Sequence, residues 1–163
     1  WLPLAVAAPI GLVALAFDAR GRSREALPEA AGAVALGASA AAIALAGGAP
    51  AAFAWGAWAL LALRAVTSVL YVRARIRLDR GLAAGPRAVH AGHAAALAGA
   101  TGLAGVGWAP WLAPVVFLVL LLRSGWGLSR WRRPVRPQVL GFQELGYGLL
   151  TLVLLVIGYR LGP

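Results

Sequence analysis

Residues 64–87, RAVTSVLYVRARIRLDRGLAAGPR, begin inside an apolar run, leave it at Val72 and continue as a dense series of arginines. An apolar segment long enough to cross a bilayer, closed by a block of arginines, is the pattern of a membrane helix that delivers its charged end to the cytoplasmic surface. The same alternation recurs along the whole chain, and few folds accommodate it. Apolar stretches at 2–17, 30–46, 51–72, 87–106, 111–128 and 138–161 predict six helical spans. The third runs on as a helix through residue 80 to a stop at Gly81, a residue suited to a helix C-terminus. Pro28 and Glu29 suit the first turn of the second, where no N–H donor is needed and a carboxylate meets the positive end of the helix dipole.

The long connections at 18–25, 73–87 and 129–137 hold twelve of the fifteen arginines, and the turns at 47–50 and 107–110 hold none. Arginine-rich loops stay on the cytoplasmic side, so the long connections are expected there and the short turns outside. The fold class predicted is all-α, a polytopic bundle of about six membrane-spanning helices, with residues 1–163 forming one membrane domain.

Composition agrees. Hydrophobic residues make up 61% of the 163-residue chain and charged residues 12%, against about 25% charged in a soluble domain, so lipid is expected to be the solvent for much of the surface. Every cation is arginine, and the absence of lysine excludes Schiff-base and P-loop lysine chemistry. The absence of cysteine excludes disulfides, thiolate catalysis and thiolate metal sites. The net charge of +10 implies attraction to anionic lipid headgroups, about 1 kcal/mol per arginine near the surface. Arg73, Arg77, Arg80, Arg132 and Arg133 are the candidates for contact with a headgroup or phosphate. The basic segments are short and tethered at a bilayer, which disfavours nucleic acid as a partner. No methionine is present, so the chain is expected to be an N-terminally truncated fragment. No basic stretch precedes the first apolar run, unlike a signal peptide.

Four constellations could carry chemistry or specific packing. On the third helix Arg64, Thr67, Ser68, Tyr71 and Arg75 recur at spacings of three or four and share one face. Arg64 precedes Arg73 by nine residues, roughly 13 Å deeper at about 1.5 Å per residue. A charge at that depth either faces the bundle interior or a wet cavity, where it calls for an anionic partner, or snorkels to the cytoplasmic interface. At the start of the sixth span Gln143 precedes Glu144, Tyr147 and Thr151, which share a face, and Glu144 is the one carboxylate within reach of a span interior. It is therefore the protein candidate to answer Arg64. A small anionic or lipid ligand is the alternative.

His90 and His93 share a face of the fourth helix, but no third ligand accompanies them, so they are read as helix-interface residues. No metal and no cofactor is expected. Ala94, Ala98 and Gly102, at every fourth position of that helix, either allow a close helix–helix approach or reflect the chain's bias towards alanine and glycine.

The segments FDARGRSREALPEAAGAVALG, LRAVTSVLYVRARIRLDRG and GFQELGYGLLTLVLLVIGY together resemble the YwiC-like family of bacterial multi-pass membrane proteins. The middle segment, from Arg64 through Ser68 and Tyr71 to the alternating arginines, is the most specific. The resemblance implies a multi-pass protein of the bacterial inner membrane with an upstream portion bearing a His-Gly-Trp type motif, and it carries no catalytic residues with it. A fainter likeness, at Asp18, Gly21, Leu27 and Pro28, is to UbiA-type prenyltransferases, helical bundles acting on isoprenoid diphosphates through Mg²⁺ held by clustered aspartates. This chain has two aspartates, Asp18 and Asp79. The function expected is that of a YwiC-like membrane protein with a basic cytoplasmic face and no assigned activity. The alternatives are an enzyme on isoprenoid or lipid phosphates, or a small transporter with Arg64 and Glu144 on its path.

Overall fold

The computed structural model describes residues 1–161, and all their regular structure is helical. Six helices follow one another: α1 (Leu2–Asp18), α2 (Ala26–Ala46), α3 (Ala51–Asp79), α4 (Pro86–Gly105), α5 (Leu112–Gly127) and α6 (Pro137–Leu161). Three of them, α2, α3 and α6, are long and apolar enough to cross a membrane. The other apolar pair, α1 and α5, is shorter, at 17 and 16 residues. The chain divides into two compact units between Val69 and Leu70, inside α3.

The helix ends follow local chemistry. α2 starts at Ala26 after Glu25 adopts the extended conformation of an N-cap, and Pro28 and Glu29 fall in its first turn as expected, where a residue without an N–H is accommodated. α3 closes with Gly81 at φ +71°, whose N–H donates to the Leu78 carbonyl at 3.1 Å while the Leu82 N–H donates to Arg77 at 2.9 Å. This paired closure requires a left-handed residue just past the helix, which glycine adopts without strain. Gly48 at φ +81° ends α2 with the same pair of bonds. Pro86 and Pro137 open α4 and α6, where a missing N–H costs nothing.

The first unit, residues 1–69, contains α1, α2 and the first part of α3. Its core is almost entirely alanine (Ala7, Ala38, Ala41 and Ala54), with Trp58 filling the remaining space. Trp58 donates its indole N–H to the Val34 carbonyl at 2.8 Å and lies over Gly37, where a Cβ would stand 3.4 Å from the ring. Small side chains let the backbones approach and leave room for the one large residue.

The second unit, residues 70–161, contains the end of α3 and all of α4, α5 and α6. Tyr71, Ala74, Val89, Leu128 and Leu140 form its core. α6 meets the turn before α5 at Gly158, where a Cβ would stand 2.7 Å from Pro110. Hydroxyls within the helices bond back to their own helix: Thr67 to Leu63, Ser124 to Leu121 and Thr151 to Tyr147, all at 2.8–2.9 Å. Such internal satisfaction lets a polar side chain sit in an apolar helix without outside partners.

The small-residue stripe on α4 is displaced from its expected position. Ala94, Ala98 and Gly102 are exposed, while Val89, His93, Ala96, Ala100 and Ala104 are buried. In a helix this rich in alanine, two faces carry the every-fourth-residue spacing. The large side chains Val89 and His93 decide which one turns inward.

Candidate functional site

Two arginine centres occupy the second unit, both at the ends of helices that adjoin arginine-rich loops. The first belongs to the last turn of α3. Arg75, with a side chain only 6% exposed, places its Nε 2.9 Å from Asp79 Oδ2, one helical turn on. Its two terminal nitrogens donate to the carbonyls of Gly127, at the end of α5, and Arg133, in the loop before α6. Asp79 also receives Arg132 Nε at 3.4 Å and the Val135 N–H at 3.4 Å, and Arg132 donates to the Leu78 carbonyl at 3.0 Å. The donors of Arg75 are thus taken up by protein acceptors. This centre fastens the 129–137 loop to the ends of α3 and α5.

The second centre is Arg123, one turn before the end of α5. Its side chain is 7% exposed, and Nη2 lies 2.6 Å from Oε1 of Glu144 on α6. The guanidinium carbon stands 3.9 Å from the ring centroid of Tyr71 and 4.7 Å from that of Tyr147. Two aromatic faces with their negative quadrupoles thus contact the cation, and the carboxylate neutralises it. Yet the geometry of the ion pair is not that of an aligned hydrogen bond. Nε, Nη1 and Nη2 are all shielded from solvent with no hydrogen-bond acceptor among the described residues. Buried N–H groups of a guanidinium are expensive to leave without acceptors.

Both centres open onto one cavity of about 620 Å³, lined on its polar side by Tyr71, Arg75, Arg123, Arg132, Glu144 and Tyr147. Gln143 and the exposed Arg133 stand at its margin, and Trp126 and Trp131 supply apolar wall. Counting Asp79, four arginines face two carboxylates, so the site keeps a net charge of about +2. Tyr71 is held by two neighbours. His93, whose Nδ1 lies 2.9 Å from the Val89 carbonyl, meets its ring edge-on at 6.5 Å, and Gly127 leaves the space into which its hydroxyl points.

The cavity brings together six residues singled out from the sequence: Tyr71, Arg75, Glu144, Tyr147, Arg132 and Arg133. Arg64, Thr67 and Ser68 belong to the first unit, Thr67 buried and the other two half-buried. Arg73 is half-buried, whereas Arg77 and Arg80 are exposed, Arg77 donating to the Ala83 carbonyl at 2.8 Å. Arg132, expected as a headgroup contact, turns inward to Asp79. Sequence reasoning passes over Arg123. The available signal is a lone arginine five residues before the end of an apolar run, with a glutamate and a tyrosine three residues apart on the next helix.

Comparison with known families, curated proteins and solved structures finds no match to this chain.

Proposed function

We propose that this is a YwiC-like multi-pass protein of the bacterial inner membrane that binds a phosphate-bearing anion at the arginine-rich cavity of its second unit. In this reading all six helices cross the bilayer, with the loops at 18–25, 73–87 and 129–137 on the cytoplasmic side. Trp111 and Trp126, both largely exposed, stand at the two ends of α5, and tryptophan is a residue suited to a membrane interface.

The observation that carries the anion reading is the surplus of positive charge at the cavity, where Arg75, Arg123, Arg132 and Arg133 are answered by only two carboxylates, Asp79 and Glu144. Arginine is suited to such a ligand, because a guanidinium grips a tetrahedral oxyanion through two parallel hydrogen bonds. A phosphate dianion also matches the residual positive charge. The diphosphate–Mg²⁺ chemistry of prenyltransferases is a weaker reading, since Asp79 is already committed to two arginines.

A ligand that binds the folded state alone raises its stability. The test is thermal unfolding of the purified protein in neutral detergent, with phosphate exchanged for chloride at constant ionic strength. The melting temperature should rise in the parent and not in Arg123→Gln. Equal melting temperatures in the two salts for the parent protein would contradict the reading.

A further inference from the structure

A second depression adjoins the arginine cavity and differs from it in character. It encloses about 660 Å³ and is lined by His90, Leu121, Leu122, Gly125, Trp126 and Trp131, with Ser129 at one edge. Leu122, Trp126 and Trp131 belong to both cavities, so the two meet along a shared wall. The tryptophans form a stacked pair with centroids 6.4 Å apart, and Arg130 covers Trp131 from 4.7 Å. Both indoles are about two-thirds exposed, at 68% and 64%. Gly125 forms part of the floor, and a Cβ built there would meet nothing within 4 Å. An apolar trough therefore runs from a cationic pocket along the outer surface of α5, past a tryptophan pair of the kind that sits at a membrane interface.

We infer that the ligand is an anionic amphiphile. Its phosphate occupies the arginine-lined cavity beside Arg123, and its hydrocarbon chain lies in the trough over Gly125, between Leu122 and Trp126. This rests on the anion reading above and adds the identity of the ligand's other half. Two features favour one amphiphile over a free anion beside an unrelated bilayer lipid. The trough and the pocket adjoin at Leu122, Trp126 and Trp131, so the head and the chain of one molecule are within reach of both. The floor of the trough includes Gly125, in the last turn of α5, whose missing side chain leaves the groove unobstructed. Hydrocarbon burial is additive along a chain, and a couple of methylenes removed from water already correspond to about tenfold in affinity.

The experiment compares inorganic phosphate with dodecyl phosphate by thermal unfolding in dodecyl maltoside, using the parent, Arg123→Gln and Gly125→Trp. The last substitution fills the trough without touching the arginine pocket. In the parent, dodecyl phosphate should give half-maximal stabilisation at a concentration at least about tenfold below that of inorganic phosphate. Gly125→Trp should respond to inorganic phosphate as the parent does, with the advantage of the alkyl chain cut to within about twofold. Arg123→Gln should respond to neither.

Equal potency of the two phosphates in the parent would overturn the amphiphile while leaving the anion site standing. No response of the parent to either would remove both. A dodecyl phosphate response that survives in Arg123→Gln, or an undiminished one in Gly125→Trp, would assign the stabilisation to the micelle and refute the inference.

Discussion

Arg123 gains its role from three side chains that its own helix does not supply. Tyr71 comes from α3, and Tyr147 and Glu144 come from successive turns of α6. Such a clamp depends on the space each ring occupies, and that space is provided at Gly127. A Cβ there would come within 2.9 Å of the Tyr71 ring carbons, so Gly127→Ala forces the ring away from the guanidinium. The expected cost is about 1–3 kcal/mol, typical of overpacking. Thermal unfolding should show the loss together with a weakened phosphate response, whereas Gly125→Ala, two residues earlier and open to space, should show neither. Arg123 is hard to see in the sequence because one arginine near the end of an apolar run has the look of an ordinary interfacial charge. What distinguishes it, two aromatic faces and a carboxylate, lies 52 residues before it and about 20 after it in the chain. The conspicuous stripe on the third helix leads to Arg64 because helical spacing within one element is legible where contacts between elements are not.

At the scale of elements, the helices are legible because each apolar run ends in a residue with a clear backbone preference. Gly48 and Gly81 stop α2 and α3, and Pro86 and Pro137 start α4 and α6. The faces are less so. On α4 composition offers two equivalent small-residue stripes, and tertiary packing chooses the one that continues from Val89 and His93. The arginine-rich loop 129–137 likewise reads as a solvated basic segment, yet Arg132 and two of its backbone groups, the Arg133 carbonyl and the Val135 N–H, turn inward to Arg75 and Asp79. Asp79 is the keystone of that connection. Asp79→Ala leaves the buried Arg75 with its carbonyl acceptors but no countercharge, a loss on the order of 3 kcal/mol for a buried pair broken on one side. Limited proteolysis should then cut within 129–137 in the variant at protease levels that leave the parent intact. An unchanged cleavage pattern and melting temperature would show that the loop is held by other means.

At the scale of the molecule, the three long apolar helices α2, α3 and α6 mark a membrane protein. The proposed six-span arrangement takes the direction of each connection from the arginine distribution. The anion site belongs to the same argument, because Arg75, Asp79, Arg132 and Arg133 all lie where α3, α5 and α6 adjoin arginine-rich loops. If those loops are cytoplasmic, the site draws its ligand from the cytoplasmic leaflet or the cytoplasm. The chain contains no cysteine, so single cysteines introduced at Arg22, Gly48, Gly107 and Arg133 can each be read cleanly with a membrane-impermeant thiol reagent. In intact cells, Gly48→Cys and Gly107→Cys should label, whereas Arg22→Cys and Arg133→Cys should label only after the membrane is permeabilised. Labelling of Arg133→Cys in intact cells, with Gly48→Cys protected, would place the arginine-rich face and its cavity outside and contradict the account.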